Sequence, residues 1–162
     1  MCTHDMVNLN ALSPEEAEKE LLACCASRAF AREVAAGRPY AGQAELGAAA
    51  EAAVRALAWP DVEEALAAHP RIGERAAGAG RESEWSRQEQ SGVEDHVRAE
   101  LAEGNRVYEQ RFGHVYLICA TGLSGEEMLA RLKERLDHDE ATERAVVRDE
   151  LAKITKLRLA RI

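Results

Sequence analysis

The 162-residue chain has few aromatic residues and few prolines: two Phe, three Tyr, two Trp and four Pro. Sheets are built from aromatic and β-branched cross-strand pairs, so a large sheet would lack its usual material. Long apolar runs are missing too. Runs such as Val115 to Ala120 fall far short of the roughly 20 residues that cross a bilayer. Positive charge is scarce: 21 Lys and Arg against 29 Asp and Glu leave a net charge of −8. Basic residues nowhere interleave with aromatics, so no nucleic-acid partner is expected. The four cysteines, Cys2, Cys24, Cys25 and Cys119, include no C-x-x-C pair, which fits reduced thiols in a cytoplasmic protein. The first ten residues show no basic stretch followed by an apolar one, and no secretory signal is expected. His4, His69, His96, His114 and His138 form no H-E-x-x-H spacing and no Cys/His cluster, and neither G-x-G-x-x-G nor a Walker loop occurs. Neither a metal nor a nucleotide cofactor is expected.

What is plentiful is alanine, 31 residues, the strongest helix former. Ser13-Pro14-Glu15-Glu16 reads as an N-cap, a proline at the first helical position and a capping glutamate. Arg28–Ala36 reads as a helix stopped by Gly37, and Gln43 to about Leu57 as an alanine-rich one. Pro60-Asp61 opens another that ends near Ala68, because Pro70 disfavours helical geometry at His69. Arg71 to Arg81, with its glycines, reads as a loop. Helical periodicity then runs from about Ser83 to Glu103, where Gly104 is expected to end it, with a further turn or two from Asn105 to Phe112. Ser124-Gly125-Glu126-Glu127 repeats the capping pattern, and a last helix spans about Glu140 to Ala160. These segments predict an all-α bundle of about eight helices in one domain, 1–162. Residues 1–10 are expected to form a flexible tail, and Val115–Cys119 a short extended segment.

Three groups of residues are candidates for chemistry. His69, at a forced helix end beside a glycine-containing loop, has a side chain suited to proton transfer near neutral pH; the plainer reading is a histidine interacting with free helix carbonyls. Ser86, Glu89 and Gln90 lie at i, i+3 and i+4 and share a helix face. That face would grip a small ring rich in N–H and C=O groups, such as a urea or imidazolone, or is an ordinary solvated surface. Arg158 falls within the apolar stripe of Val147, Leu151 and Ile154, where an arginine needs an anion; a structural carboxylate or a snorkelling side chain would serve as well as a substrate.

With these strings in view, the chain resembles the 2-oxo-4-hydroxy-4-carboxy-5-ureidoimidazoline (OHCU) decarboxylase family, which acts last on the route from urate to allantoin. The resemblance rests on Cys25-Ala26-Ser27-Arg28-Ala29-Phe30, Arg38-Pro39-Tyr40, His69-Pro70-Arg71-Ile72-Gly73 and Ser86-Arg87-Gln88-Glu89-Gln90. It continues through Asn105-Arg106-Val107-Tyr108, Phe112-Gly113, Leu117-Ile118-Cys119-Ala120 and Leu157-Arg158-Leu159. Phe30 stands where a tryptophan is expected, and Tyr116 where phenylalanine is usual. The resemblance implies an all-α fold, no cofactor, homodimers and a functional link to urate oxidase and hydroxyisourate hydrolase. It implies His69 and Glu89 as catalytic residues, and Pro70, Ser86, Gln90, Ile118 and Arg158 as the binding site of a small-molecule substrate. The alternatives are a paralogue acting on another ureido or hydantoin compound, and a helical binding module without activity.

Overall fold

The computed structural model describes residues 9–72 and 95–162. Among these the chain forms helices and no strand, as the residue content requires: α1 (Pro14–Cys24), α2 (Arg28–Ala36), α3 (Gln43–Ala56), α4 (Trp59–Leu66), α5 (Asp95–Phe112), α6 (Gly125–Arg135) and α7 (Glu140–Leu159). None of the described helices is long and apolar enough to cross a membrane. The chain divides into two compact units, one reaching to Ala65 and taking in Leu151–Ile162, the other Leu66–Glu150.

In the first unit α1 and α2 start where a side chain supplies an acceptor for an unpaired N–H. Ser13 Oγ accepts from the Glu16 N–H at 3.2 Å, and the buried Ser27 caps α2 through the Phe30 N–H at 3.2 Å. The i, i+4, i+7 spacing of Ala17, Leu21 and Cys24 makes the buried face of α1, which lies against α2. Cys24 and Cys25 are both wholly buried, small apolar side chains in the core. Gly37 ends α2 at φ −80°, an ordinary right-handed conformation, so backbone freedom does not explain it. The explanation is space: a Cβ there would lie 2.5 Å from Tyr40 Oη, which folds back to donate to the Val34 carbonyl. The flexible-tail expectation fails at Leu9 and Asn10. Leu9 is buried and its carbonyl accepts from Arg38 Nη1 at 2.7 Å, while the Asn10 amide pairs with both backbone groups of Tyr40. Along α3 the buried stripe is Leu46, Ala50, Ala53 and Val54, and Gln43 and Lys156 tie this helix to the last turns of α7.

α4 stops at Leu66, two residues before the expected end, and passes into a turn at Ala67 and Ala68 ahead of Pro70. In the second unit, α5 runs straight through Gly104, where the sequence pointed to a break. The glycine is there for packing: a Cβ would sit 3.0 and 3.1 Å from the two methyls of the buried Leu132 on α6. An interior glycine costs about 1 kcal/mol of helix propensity, and here it lets two helices approach. α6 opens with a complete capping box, Ser124 and Glu127 each bonding the other's backbone N–H. The core of this unit joins Leu101, Tyr108, Tyr116, Ile118, Met128 and Leu132.

Candidate functional site

His69 lies just past the end of α4, its N–H donating to the Leu66 carbonyl at 3.0 Å; it and Pro70 are half-buried. The residues that follow are fastened to α5 at positions one turn apart. Arg71 makes a fork to Glu109 (Nε–Oε2 2.7 Å, Nη2–Oε1 3.0 Å), and Asn105 Nδ2 donates to the Ile72 carbonyl at 2.8 Å. The Ile72 side chain enters the core of the unit. A half-buried imidazole is thereby carried on a short segment whose far end has little freedom.

Ile118 belongs to that same core and is 5% exposed. The stretch from Val115 to Ala120 is neither helix nor strand, so its buried backbone groups need partners from elsewhere. Side chains supply them: Arg135 Nη1 donates to the Leu117 carbonyl at 2.6 Å, and Glu150 Oε1 accepts from the Cys119 N–H at 2.9 Å. Tyr116 Oη reaches the Met128 carbonyl. Among the described residues no acceptor meets the N–H of Ile118 itself.

Arg135 is held by an almost fully buried ion pair. Its Nε and Nη2 lie 2.8 and 2.6 Å from Glu143 Oε2, which also accepts from Tyr108 Oη; His138 Nδ1 is 3.0 Å from Glu143 Oε1. The guanidinium stands 4.8 Å over the Tyr116 ring, a cation–π contact. Burial opposes its charge, but the hydrogen bonds and charge of Glu143 outweigh burial and raise its pKa. Burial foremost, and then the bond to Glu143, push the Tyr108 hydroxyl well above the usual tyrosine range; burial does the same for Tyr116, against an opposing effect of Arg135.

In the first unit Arg158 is 1% exposed and sits in the last turn of α7, on the helix face that buries Leu151 and Ile154. Ser86, Glu89 and Gln90 lie outside the described residues. Among the described residues no three His, Cys, Asp or Glu side chains gather as a metal site would need. A cleft of about 790 Å³ in the first unit is walled by Ala49, Ala53, Ala56 and Leu57 with Glu33, Tyr40 and Asp61, and includes none of the expected site residues. Its size comes from alanine side chains that fill little space. A cleft of about 440 Å³ in the second unit borders Arg71, Arg106 and Glu109.

The sequence reading assigned no role to Asn105, Arg135, Glu143 or Glu150. A signal for them existed. Arg135 follows Met128 and Leu132 on the apolar stripe of α6, and Glu143 and Glu150 flank Val147 on that of α7, the same pattern that singled out Arg158.

The sequence matches the family model for OHCU decarboxylase over residues 10–160. It is 33% identical to the uric acid degradation bifunctional protein TTL of Arabidopsis thaliana, over 93% of this chain but 48% of that protein, so the chain spans about half of that relative. It is 34% identical to the 2-oxo-4-hydroxy-4-carboxy-5-ureidoimidazoline decarboxylase of Amia calva, covering 96% of this chain and 92% of the relative. Among solved structures, it is similar to an OHCU decarboxylase crystallised in the presence of (S)-allantoin, with a TM-score of 0.75 and 33% identity over 88% of this chain and 95% of the other. On the family match and these relatives, the chain belongs to the OHCU decarboxylase family.

Proposed function

We propose that this protein decarboxylates OHCU to (S)-allantoin without a cofactor, completing the conversion of urate to allantoin. The observation that carries the reading is the family match across residues 10–160, joined to the fastening of the His69 and Ile118 segments on one core. The carboxylate leaves from a carbon of a ring carrying carbonyl and nitrogen neighbours. The electron pair freed by that C–C cleavage is taken up by the substrate itself, and no external electron sink is required.

In this reading His69 transfers the proton that ends on one face of the ring. Glu89 grips ring or ureido N–H groups, with Ser86 and Gln90 beside it, and so sets which face is presented. Pro70 forms a wall behind His69, Arg158 binds a substrate oxygen, and the Ile118 N–H meets the oxygen on which negative charge gathers. The unmet N–H of Ile118 is what supports the last assignment. The family match runs through both compact units, which supports a single functional domain. We further propose a cytoplasmic homodimer working after urate oxidase and hydroxyisourate hydrolase; the name of the Arabidopsis relative supports the link to uric acid degradation.

The test is to generate OHCU in place from urate with those two upstream activities and to follow allantoin by circular dichroism. Rapid appearance of the (S) enantiomer, lost in His69→Ala with the fold retained, is expected. Racemic allantoin at the uncatalysed rate would overturn the reading.

A further inference from the structure

Leu117 C=O and Ile118 N–H belong to one peptide unit, which is trans. In a planar trans peptide the carbonyl and the N–H point in opposite directions, so a group that fixes the carbonyl also aims the amide. Arg135 is such a group: its Nη1 lies 2.6 Å from the Leu117 oxygen while its other nitrogens are held on Glu143. The next peptide is fixed as well, because the Cys119 N–H donates to Glu150. With both flanking planes pinned, the two dihedrals of Ile118 have nowhere to move.

A charged donor on a carbonyl does more than orient it. Hydrogen bonds in series polarise one another, and a guanidinium on the Leu117 oxygen draws electron density from the amide and makes the Ile118 N–H a stronger donor. Nothing in helix packing requires this, since an apolar side chain of similar volume would fill the same position on α6.

We propose that Arg135 is a positioning residue for the decarboxylation, acting through the Leu117–Ile118 peptide to aim and polarise the Ile118 N–H toward the substrate oxygen that becomes negative as the carboxylate departs. Glu143 and Tyr108 are the support that keeps the guanidinium in place. The inference rests on the role given above to Ile118.

The experiment uses the full chain and OHCU generated in place. In Arg135→Lys the ammonium keeps its charge opposite Glu143 but has no planar fork to span Glu143 and the Leu117 carbonyl together. Outright loss of an oxyanion donor lowers kcat by about 10²–10³, so a loosened and less polarised donor is expected to lower it about 10- to 100-fold. KM and the Kd for (S)-allantoin should stay within about twofold, because neither substrate nor product carries the developing charge. The Ile118 amide proton should move upfield in the NMR spectrum. A lowered melting temperature with kcat within about twofold of the parent and an unmoved Ile118 amide would leave Arg135 a purely structural residue and overturn the inference. If Arg135→Lys does not fold, a backbone ester at Ile118, which removes the N–H and leaves the ion pair intact, decides. A kcat loss of about 10²-fold supports the inference, and an unchanged kcat overturns it. A parent protein with no activity on OHCU refutes the proposed function itself, a result distinct from either.

Discussion

Asn105→Ala tests how the histidine-bearing segment is held. Asn105 is 1% exposed and its Nδ2 is bonded to the Ile72 carbonyl at 2.8 Å, so water has little access to replace the lost donor. Stranding a buried carbonyl costs about 1–3 kcal/mol. Part of that is returned, because Asn105 Oδ1 is itself buried with no partner among the described residues and the substitution removes it. The net expectation is a loss of about 1–2 kcal/mol, which for a chain of this size is roughly 2–8 °C in melting temperature. Activity should fall further than stability, by about tenfold in kcat/KM, since displacement of a reacting group by about 1 Å is worth up to 10²-fold. Asn105→Asp separates the hydrogen bond from the packing. It keeps the shape but turns an acceptor toward an acceptor at neutral pH, and should destabilise more than alanine does. That excess should shrink as acid protonates the new carboxyl and makes it a donor. Paired thermal melts and steady-state kinetics check both variants. A melting temperature within about 1 °C of the parent, with unchanged kcat/KM in Asn105→Ala, would show that the Arg71–Glu109 fork alone holds the segment.

Gly104→Val places branched carbons against the Leu132 methyls and should cost about 2 kcal/mol or more, read as a lower urea midpoint. Arg158→Lys keeps the charge and loses the fork; a severe drop in kcat/KM with a small change in melting temperature is expected, and the reverse pattern would remove Arg158 from substrate binding. The fold raises the pKa of Tyr108 and Tyr116, chiefly by burial, and also that of the less buried Tyr40. Because the neutral phenols are favoured, their contribution to stability is complete below the ordinary value of 10.0 and is lost as pH climbs above it. Absorbance at 295 nm should show little tyrosine ionisation at pH 10 in the native protein, and urea midpoints should fall between pH 10 and 12. Ordinary titration of all three tyrosines in the folded state would contradict the burial argument.

Two helix starts were legible in the sequence because each is written in a few neighbouring residues: Ser13 with Pro14, and Ser124 with Glu127, cap where local chemistry says they should. Gly104 was misread because its reason lies 28 positions away in Leu132, and a local propensity rule weighs only neighbours along the chain. Gly37 was rightly read as a stop, yet for a reason the sequence does not display, the return of Tyr40 over it. His69 could be placed at a helix end from Pro70 alone. Its anchors Arg71–Glu109 and Asn105–Ile72 join segments more than 30 residues apart, and no periodicity announces which carboxylate or amide will be the partner. The buried charges on α6 and α7 fall between these cases: their burial was readable from the apolar stripes, their partners were not.

The non-helical stretch Val115–Ala120 has a consequence for how this protein fails. Six consecutive residues without charge, proline or glycine, rich in β-forming side chains, are the composition of a segment that stacks with copies of itself. In the native chain Arg135 and Glu150 occupy backbone groups that a neighbouring strand would otherwise take, and Tyr116, Leu117, Ile118 and Ala120 are buried. Ion pairing in the interior therefore also protects against aggregation. Variants that loosen it should be lost on warming in proportion to protein concentration, as precipitate rather than as reversibly unfolded chain.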